Sequence, residues 1–559
     1  MLDKIGKQFA DKIIYNSKAF LADRSGGFAE ALAIKDGKII FVGNDSEAKT
    51  FAGKDTVMID AGGNTVLPGL FDNHCHPCNY IFKVGGVELY KYTTLKEMQK
   101  EIKAYADNHK DKFLIRGSGW NFSDFTEESP RKEFLDEIVP DRPVVLYLGD
   151  YHNTWVNSKA LQIAGINRDT KDPEGGHIER DETGEATGLL TEIACMLMID
   201  DCLGPYTPSD FKIGIEQFFE DCASVGISSV REAAISDEPA YESYHMIAEE
   251  GLDLNVFIDV LIDNKTIEPA EKKVKDALEV MESLQKDGYH TGGVKIFMDG
   301  VCEAMTGGIE EPYLGTDGNR GSIIWDQNDY NEICRICDVL GLQVHVHAIG
   351  DRAVRYTVNG MEYAREMNGG HDSRNMIAHI QLLNDFDLKR IKALNIIPVM
   401  TPQWFEKGDM YSNIELRTLG RERADSEYVF DGFFKNGIMV TCGSDAPAGI
   451  SEEILPVSFS PWVGIQQAVT RCTPGLDGND LRNVHNTAER TTLENAIRSY
   501  TINCAYSWFL ERETGNLETG KQADIIILDR DLFETDINEI YRTNVLLTMV
   551  KGKTVYDAM

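Results

Sequence analysis

Apolar and polar positions along this chain follow two rhythms, and the rhythm changes near both ends. Between residues 12 and 66 the apolar positions come in short runs of strand length: Ile13 to Tyr15, Ala31 to Ile34, Ile39 to Val42 and Val57 to Asp60. Lys35-Asp36-Gly37-Lys38 separates two of them and predicts a hairpin, because Asp-Gly supplies the positive φ of a tight two-residue turn. The far end repeats the style. Ala523 to Leu528 is a β-rich run, and Val545 to Val550 and Thr554 to Tyr556 flank Lys551-Gly552-Lys553. Neither end alone has enough strands to bury a good core. They are expected to combine into one composite β-sandwich domain, residues 1–66 with 496–559.

Between the ends, strand-like runs alternate with helix-like stretches. The runs are Val66 to Phe71, Gly226 to Val230, Val256 to Leu261, Gly293 to Phe297, Gly341 to His347, Asn375 to His379, Ile396 to Met400 and Met439 to Gly443. Eight strand–helix units predict an α/β fold of the (β/α)8 TIM-barrel type, built from residues 67–90 and 206–495. Residues 91–205 interrupt the series with Trp120, Pro130, Asp141-Arg142-Pro143 and the Gly-rich stretch Asp172 to Gly176. They are expected to form an insertion subdomain over the barrel mouth.

Composition narrows the partners. At 559 residues the chain is too long for one ordinary domain, and 42% hydrophobic with 26% charged residues is a soluble globular balance. A net charge of −35 argues against nucleic-acid binding, which needs a basic face. No apolar run is long enough to span a membrane, and Met1 to Lys7 begins no secretory h-region. Eleven scattered cysteines, an odd number, fit a reducing cytoplasm. Cys75/Cys78 and Cys334/Cys337 have Cys-x-x-Cys spacing without a zinc-ribbon or redox context, so both pairs read as structural. The expected partner is a small-molecule substrate, with neither nucleic acid nor membrane; a homodimer is an open expectation.

Candidate chemistry begins at His74-Cys75-His76. At a strand end the two histidines point one way and Cys75 the other, so both imidazoles can bind one metal ion. Active-site groups of a barrel sit at the C-terminal strand ends. Lys295 lies within the fourth run, His347 ends the fifth, His379 ends the sixth and Asp445 follows the eighth. A lysine inside an apolar strand is costly unless it is paired or modified. Each residue alone has an ordinary reading: His347 a packed histidine, Asp445 a helix cap, Lys295 a snorkelling side chain. Their joint placement predicts a metal centre. Trp120, His152, Glu192 and Arg352 are candidate substrate contacts, with packing an equal reading of Trp120. Glu232, Asp299 and Arg352 are candidates for orienting ligands, His345 for packing or ligand support, and His177 and Arg180 for the surface.

These stretches carry a resemblance. Leu67 to His76, Gly293 to Gly300, His347-Ala348-Ile349-Gly350-Asp351-Arg352-Ala353, Gly443 to Pro447, Trp155 to Leu161 and Gly515 to Asp524 are similar to the amidohydrolase superfamily, in particular its amidohydrolase 3 group, which includes N-substituted formamide deformylase. The resemblance runs nearly the whole length. It implies that His74, His76 and Asp445 bind one metal, that His347 and His379 bind a second, and that Lys295 is carboxylated and bridges them. Two zinc ions suit this set; iron, manganese and nickel stay open. It also implies hydrolysis of an amide C–N bond by a metal-activated hydroxide, with Asp445 shuttling the proton. Hydrolysis of a lactone or cyclic amide, or isomerisation or decarboxylation on the same metals, is the alternative. A non-catalytic scaffold would have lost ligands, whereas all six positions hold usable groups. Two segments depart from the group's wording: Asn375 to Ala378, and Asp299 to Thr306. They put substrate transfer from any relative in doubt.

Overall fold

The computed structural model describes residues 9–559 apart from 24–25, 126–128, 149–152, 174–175, 192–194, 196–197, 200–201, 205, 237, 409 and 448–456. Eight strands form its central sheet: β1 (Leu70–Cys75), β2 (Ile227–Ile235), β3 (Asn255–Leu261), β4 (His290–Phe297), β5 (Gln343–Ala348), β6 (Met376–His379), β7 (Ile397–Met400) and β8 (Thr441–Cys442). Neighbours in space are neighbours in sequence, and every pairing is parallel. The helices Pro208–Ser224, Glu238–Glu250, Ala270–Lys286, Gln327–Leu340, Asp351–Asn368 and Asp385–Leu394 connect successive strands. Strands covered on both faces become near-continuous apolar runs, which is why periodicity alone located them. Cys334 and Cys337 are buried, free thiols of the helix Gln327–Leu340. Among the described residues no helix is long and apolar enough to cross a membrane.

The eighth run, Met439 to Gly443, yields only a two-residue strand. The seam between β8 and β1 is instead made by the chain just past β8. Asp445 N–H donates to the His74 carbonyl at 2.7 Å, and His76 N–H donates to the Ala446 carbonyl at 2.7 Å. The first run also divides. Thr65–Pro68 belongs to another sheet, where Val66 and Leu67 pair with Ile527 and Ile526. Gly69 is the crossing point, packed so close to β2 that an added Cβ would overlap the Ser228 side chain.

Strands from both chain ends share that second sheet, in the order Lys553–Asp557, Val545–Val550, Ile525–Leu528, Thr65–Pro68, Lys18–Phe20, Phe28–Ala29. A four-stranded sheet, in the order Lys38–Gly43, Ala31–Lys35, Lys12–Tyr15, Val57–Asp60, faces it across a common core that includes Ile14, Leu32, Ile39, Ile525 and Leu547. Residues 496–507, expected in this domain, fall in the helices Leu493–Ser499 and Ile502–Ser507 and lie against the barrel instead. Ala496, Ile497 and Tyr500 join its large core, and Cys504 and Trp508 pack on Phe71 and Phe257. Between β1 and β2 the chain builds a further six-stranded sheet from Val87–Glu88 to His177–Arg180, with a core of its own around Met98, Ile102, Leu146 and Trp155.

Candidate metal centre

His74 is the fifth residue of β1, and His76 follows the strand with φ −130° and ψ 69°. Their rings lie 5.4 Å apart on one side. Cys75 turns away, its thiol donating to the Arg231 carbonyl at 3.3 Å. Asp445 Oδ1 lies 3.2 Å from His74 Nε2 and 3.1 Å from His76 Nε2. Lys295 Nζ lies 3.1 Å from the same His74 Nε2. The His379 ring is 4.9 Å from that of His74 and 4.7 Å from that of His347. The structure therefore brings together His74, His76, Lys295, His347, His379 and Asp445 at one end of the barrel.

The spacing fits a cation. Ligand atoms about 2.0–2.2 Å from one ion stand roughly 3–3.5 Å from each other at ordinary angles. One ligand atom each from His74, His379 and Asp445 fall within 4.8 Å of one another. His379 Nδ1 is buried without a hydrogen-bond partner, an orphan that the surrounding protein does not satisfy. Backbone strain collects at the same residues. His379 has φ 76°, Ile380 φ 42° and Asp445 φ 60°, the left-handed region that non-glycine residues enter at a cost. The bond from Asp445 N–H to His74 holds one of these corners, and Ile380 N–H, donating to the Ala348 carbonyl at 3.1 Å, holds another.

Burial sets the charges. It holds His74 and His379 well below the ordinary imidazole range, and brings His347 down to about 4. His76 feels the same burial, but hydrogen bonds to Asp445 and Glu232 outweigh it and lift it to about 9. Burial also lowers the Lys295 amine to about 8, against the pull of Asp445. For Asp445 burial is unfavourable to the anion, yet the His74 and His76 rings set against its Oδ1 keep it well below the usual carboxylate range. The result is three neutral imidazoles, those of His74, His347 and His379, and a charged His76 paired with one firmly ionised carboxylate.

A sequence model described as "Amidohydrolase family" matches residues 57–556. The chain belongs to the amidohydrolase family. Among similar proteins, Protein LONG AFTER FAR-RED 3 of Arabidopsis thaliana is 29% identical, covering 98% of this chain and 92% of the relative. N-substituted formamide deformylase of Arthrobacter pascens is 25% identical, covering 98% and 99%. The crystal structure of an uncharacterized metal-dependent hydrolase from Pyrococcus furiosus superposes with a TM-score of 0.72 at 26% identity, covering 93% of this chain and 99% of that one.

Around the six central residues, this amidohydrolase has supports that sequence reasoning found in part. Glu232 Oε1 lies 3.7 Å from His76 Nδ1, while its Oε2 accepts from Cys78 N–H and from the Tyr244 hydroxyl, each at 3.1 Å. That aims His76 Nε2 into the centre. Asp299 accepts three backbone N–H bonds, from Gly308, Ile349 and Gly350 at 2.8–3.0 Å, and lies 3.6 Å from His347 Nε2. The segment that departs from the group's usual wording thus sits against His347. Trp404, just after β7, stacks on His379 at 5.2 Å and 16°, and no periodicity pointed to it. Arg231 and Asp259 were also missed; both are fully buried in β2 and β3.

The outer candidates fare differently. Trp120 is a core residue of the insertion and not a substrate contact: it is fully buried, packs against Phe122, Phe125 and Trp155, and donates its indole N–H to the Leu146 carbonyl at 2.9 Å. Arg352 opens the helix Asp351–Asn368 and points along it, 5.8 Å from the Tyr356 ring, instead of joining the histidines. His152 and Glu192 lie outside the described residues. His177 is exposed and pairs with Asp172 at 2.7 Å, and Arg180 binds the Asn167 and Gly184 carbonyls.

Proposed function

We propose that this chain is a metal-dependent hydrolase that cleaves an amide C–N bond in a small molecule, with His74, His76, His347, His379 and Asp445 holding one or two divalent ions, zinc first among them. The observation that carries the reading is Asp445 Oδ1 standing 3.2 and 3.1 Å from the Nε2 atoms of His74 and His76. When bound, a divalent ion supplies an acidified water at neutral pH and a Lewis acid for a carbonyl oxygen.

The chain's own groups supply the rest. Oδ1 of Asp445 faces the two imidazoles, which leaves Oδ2 to take a proton from the attacking water and return it to the leaving nitrogen. The buried Lys295, 3.1 Å from His74 Nε2, is placed to carry a carboxylate adduct, which converts a costly buried cation into a two-oxygen ligand. The loops after β4 and β7 border the centre, Asp299 and the Gly300 carbonyl at His347 and Trp404 stacked on His379. The near full-length similarity to an N-substituted formamide deformylase favours formamides or other acylated amines.

The test is a panel of N-substituted formamides, acylated amines, lactones and cyclic amides, assayed for amine or acid release on protein of measured metal content. Chelator-sensitive amine release supports the reading. Turnover confined to lactones, or undiminished after all metal has been stripped, overturns it.

A further inference from the structure

Four buried side chains from four different strands form one hydrogen-bonded line that ends on His74. Arg231 of β2 grips Asp259 of β3 with two bonds, Nε to Oδ2 and Nη2 to Oδ1, both 2.7 Å. Asp259 Oδ2 lies 2.7 Å from His345 Nδ1. His345 Nε2 lies 3.0 Å from His74 Nδ1. Arg231, Asp259 and His345 are each fully buried, and His74 is 1% exposed. Gln343 steadies the line: its carbonyl accepts from Arg231 Nη2 at 3.1 Å, and its amide donates to the Arg374 and Ser507 carbonyls at 2.9 and 2.8 Å.

The direction of the protons along this line follows from the chemistry of its ends. Arg231 can only donate, and an ionised Asp259 can only accept. Asp259 therefore places a proton on His345 Nδ1. The Arg231 charge already balances Asp259, so the line holds no second anion to stabilise an imidazolium at His345 in a fully buried place. His345 is thus the neutral ring with a bare Nε2. Among the described residues its hydrogen-bond partner is His74 Nδ1, which must then donate. The proton of His74 is held on the far side from the centre, and its Nε2 lone pair, 3.1 Å from Lys295 Nζ and 3.2 Å from Asp445 Oδ1, accepts from the lysine beside that carboxylate or binds a metal ion.

We propose that Arg231, Asp259 and His345 are positioning residues that select the metal-binding tautomer of His74. The proposal rests on the metal-centre reading above. It reverses in a definite way: an amide at position 259 can donate to His345 Nδ1, which moves the His345 proton to Nε2, makes His74 Nδ1 the acceptor and puts the His74 proton on Nε2, where it blocks the lone pair.

The experiment is zinc titration of metal-stripped full-length protein against a chromophoric chelator, for wild type, Asp259→Asn, His345→Gln and His345→Leu. A glutamine at 345 preserves the polarity, its amide donating to Asp259 and its carbonyl accepting from His74. Expected are a 10- to 100-fold or greater loss of zinc affinity in Asp259→Asn and His345→Leu, and an affinity within about threefold of wild type in His345→Gln. Asp259→Asn as tight as wild type, or His345→Gln as weak as His345→Leu, overturns the proposal. Wild type that binds no divalent ion at all overturns the metal-centre reading and this one with it, so the two failures are told apart. A measurement free of variants guards against misfolding. In metal-free wild type with 15N-labelled histidine, long-range 1H–15N spectra are expected to show His74 protonated at Nδ1; protonation at Nε2 overturns the proposal.

Discussion

Asp445 meets His74 twice over: its backbone N–H donates to the His74 carbonyl at 2.7 Å, and its carboxylate Oδ1 lies 3.2 Å from His74 Nε2. One residue therefore closes the seam between the last and first strands and faces the histidine that the seam positions. The two roles separate under substitution. Asn enters the left-handed region about as readily as Asp, so Asp445→Asn keeps the φ of 60° and the seam bond. It removes the proton acceptor. Turnover is expected to fall by about 10²- to 10⁴-fold with the melting temperature little changed. Asp445→Val, β-branched and unsuited to positive φ, is expected to lose soluble protein as well. Near-normal turnover of Asp445→Asn with metal bound would sink the proton-shuttle role.

Gly443 makes this approach of the chain possible. A Cβ built there would overlap the His74 backbone nitrogen and stand 2.6 Å from the His74 Cβ. The atoms it meets belong to the strand that carries His74, so relief requires β1 and β8 to part. Gly443→Ala is expected to cost about 1–3 kcal/mol, the range for overpacking a tight core. It is also expected to lower metal occupancy at full folding, because the shift falls on His74. Metal content per folded chain, compared with that of wild type, checks it.

Much of this arrangement was legible in the residues themselves. Burial on both faces turns barrel strands into apolar runs, so a polar residue at the end of such a run stands out, as at His347 and His379. Other features depend on long-range pairing. Asp259 interrupts the apolar run Val256 to Leu261, a visible anomaly, yet its partners Arg231 and His345 lie 28 and 86 residues away and are chosen by strand order. Trp120 stayed open between substrate contact and packing because an aromatic at a predicted mouth and an aromatic in a small core look alike in sequence. The split of Val66 to Phe71 at Gly69 escaped because both halves are buried apolar strand, one in each sheet.

A buried acidic pair beside the centre makes stability depend on pH. Gln381, two residues past His379, donates from its amide to Glu415 at 3.1 Å and to Glu427 at 2.8 Å. Burial pushes Glu415 up to about 7, with neighbouring Glu303 adding to it, and pushes Glu427 well above the ordinary range, with Glu415 adding to it. The folded chain thus holds protons that the unfolded chain releases near its ordinary pKa of 4.5. Stability from this pair is full below about 4.5 and declines as pH rises toward 7. Glu427→Gln keeps an acceptor for Gln381 and removes the titration. Its melting temperature is expected to exceed that of wild type at pH 8 and to converge with it at pH 5. A constant difference across that range would refute the account.

Metal removal should expose the tension stored at the centre. His379 Nδ1 is buried without a partner, and His379 and Asp445 both hold strained backbone. His74 Nε2, His76 Nε2, Asp445 Oδ1 and Lys295 Nζ crowd together, with neighbouring atoms 3.1–3.2 Å apart. An ion that binds the folded chain and not the unfolded one stabilises it by about 4.1 kcal/mol at a free concentration 1,000 times its Kd. Chelation is therefore expected to lower the melting temperature, and added zinc to restore it in a concentration-dependent way. The local consequence is more specific. The segment around β6 and the chain past β8 should lose hydrogen-exchange protection on chelation, while the hairpins at Gly37 and Gly552 in the end sheets keep theirs. Uniform loss of protection across both regions would mean that the ion supports the whole fold and not the strained corners at His379 and Asp445.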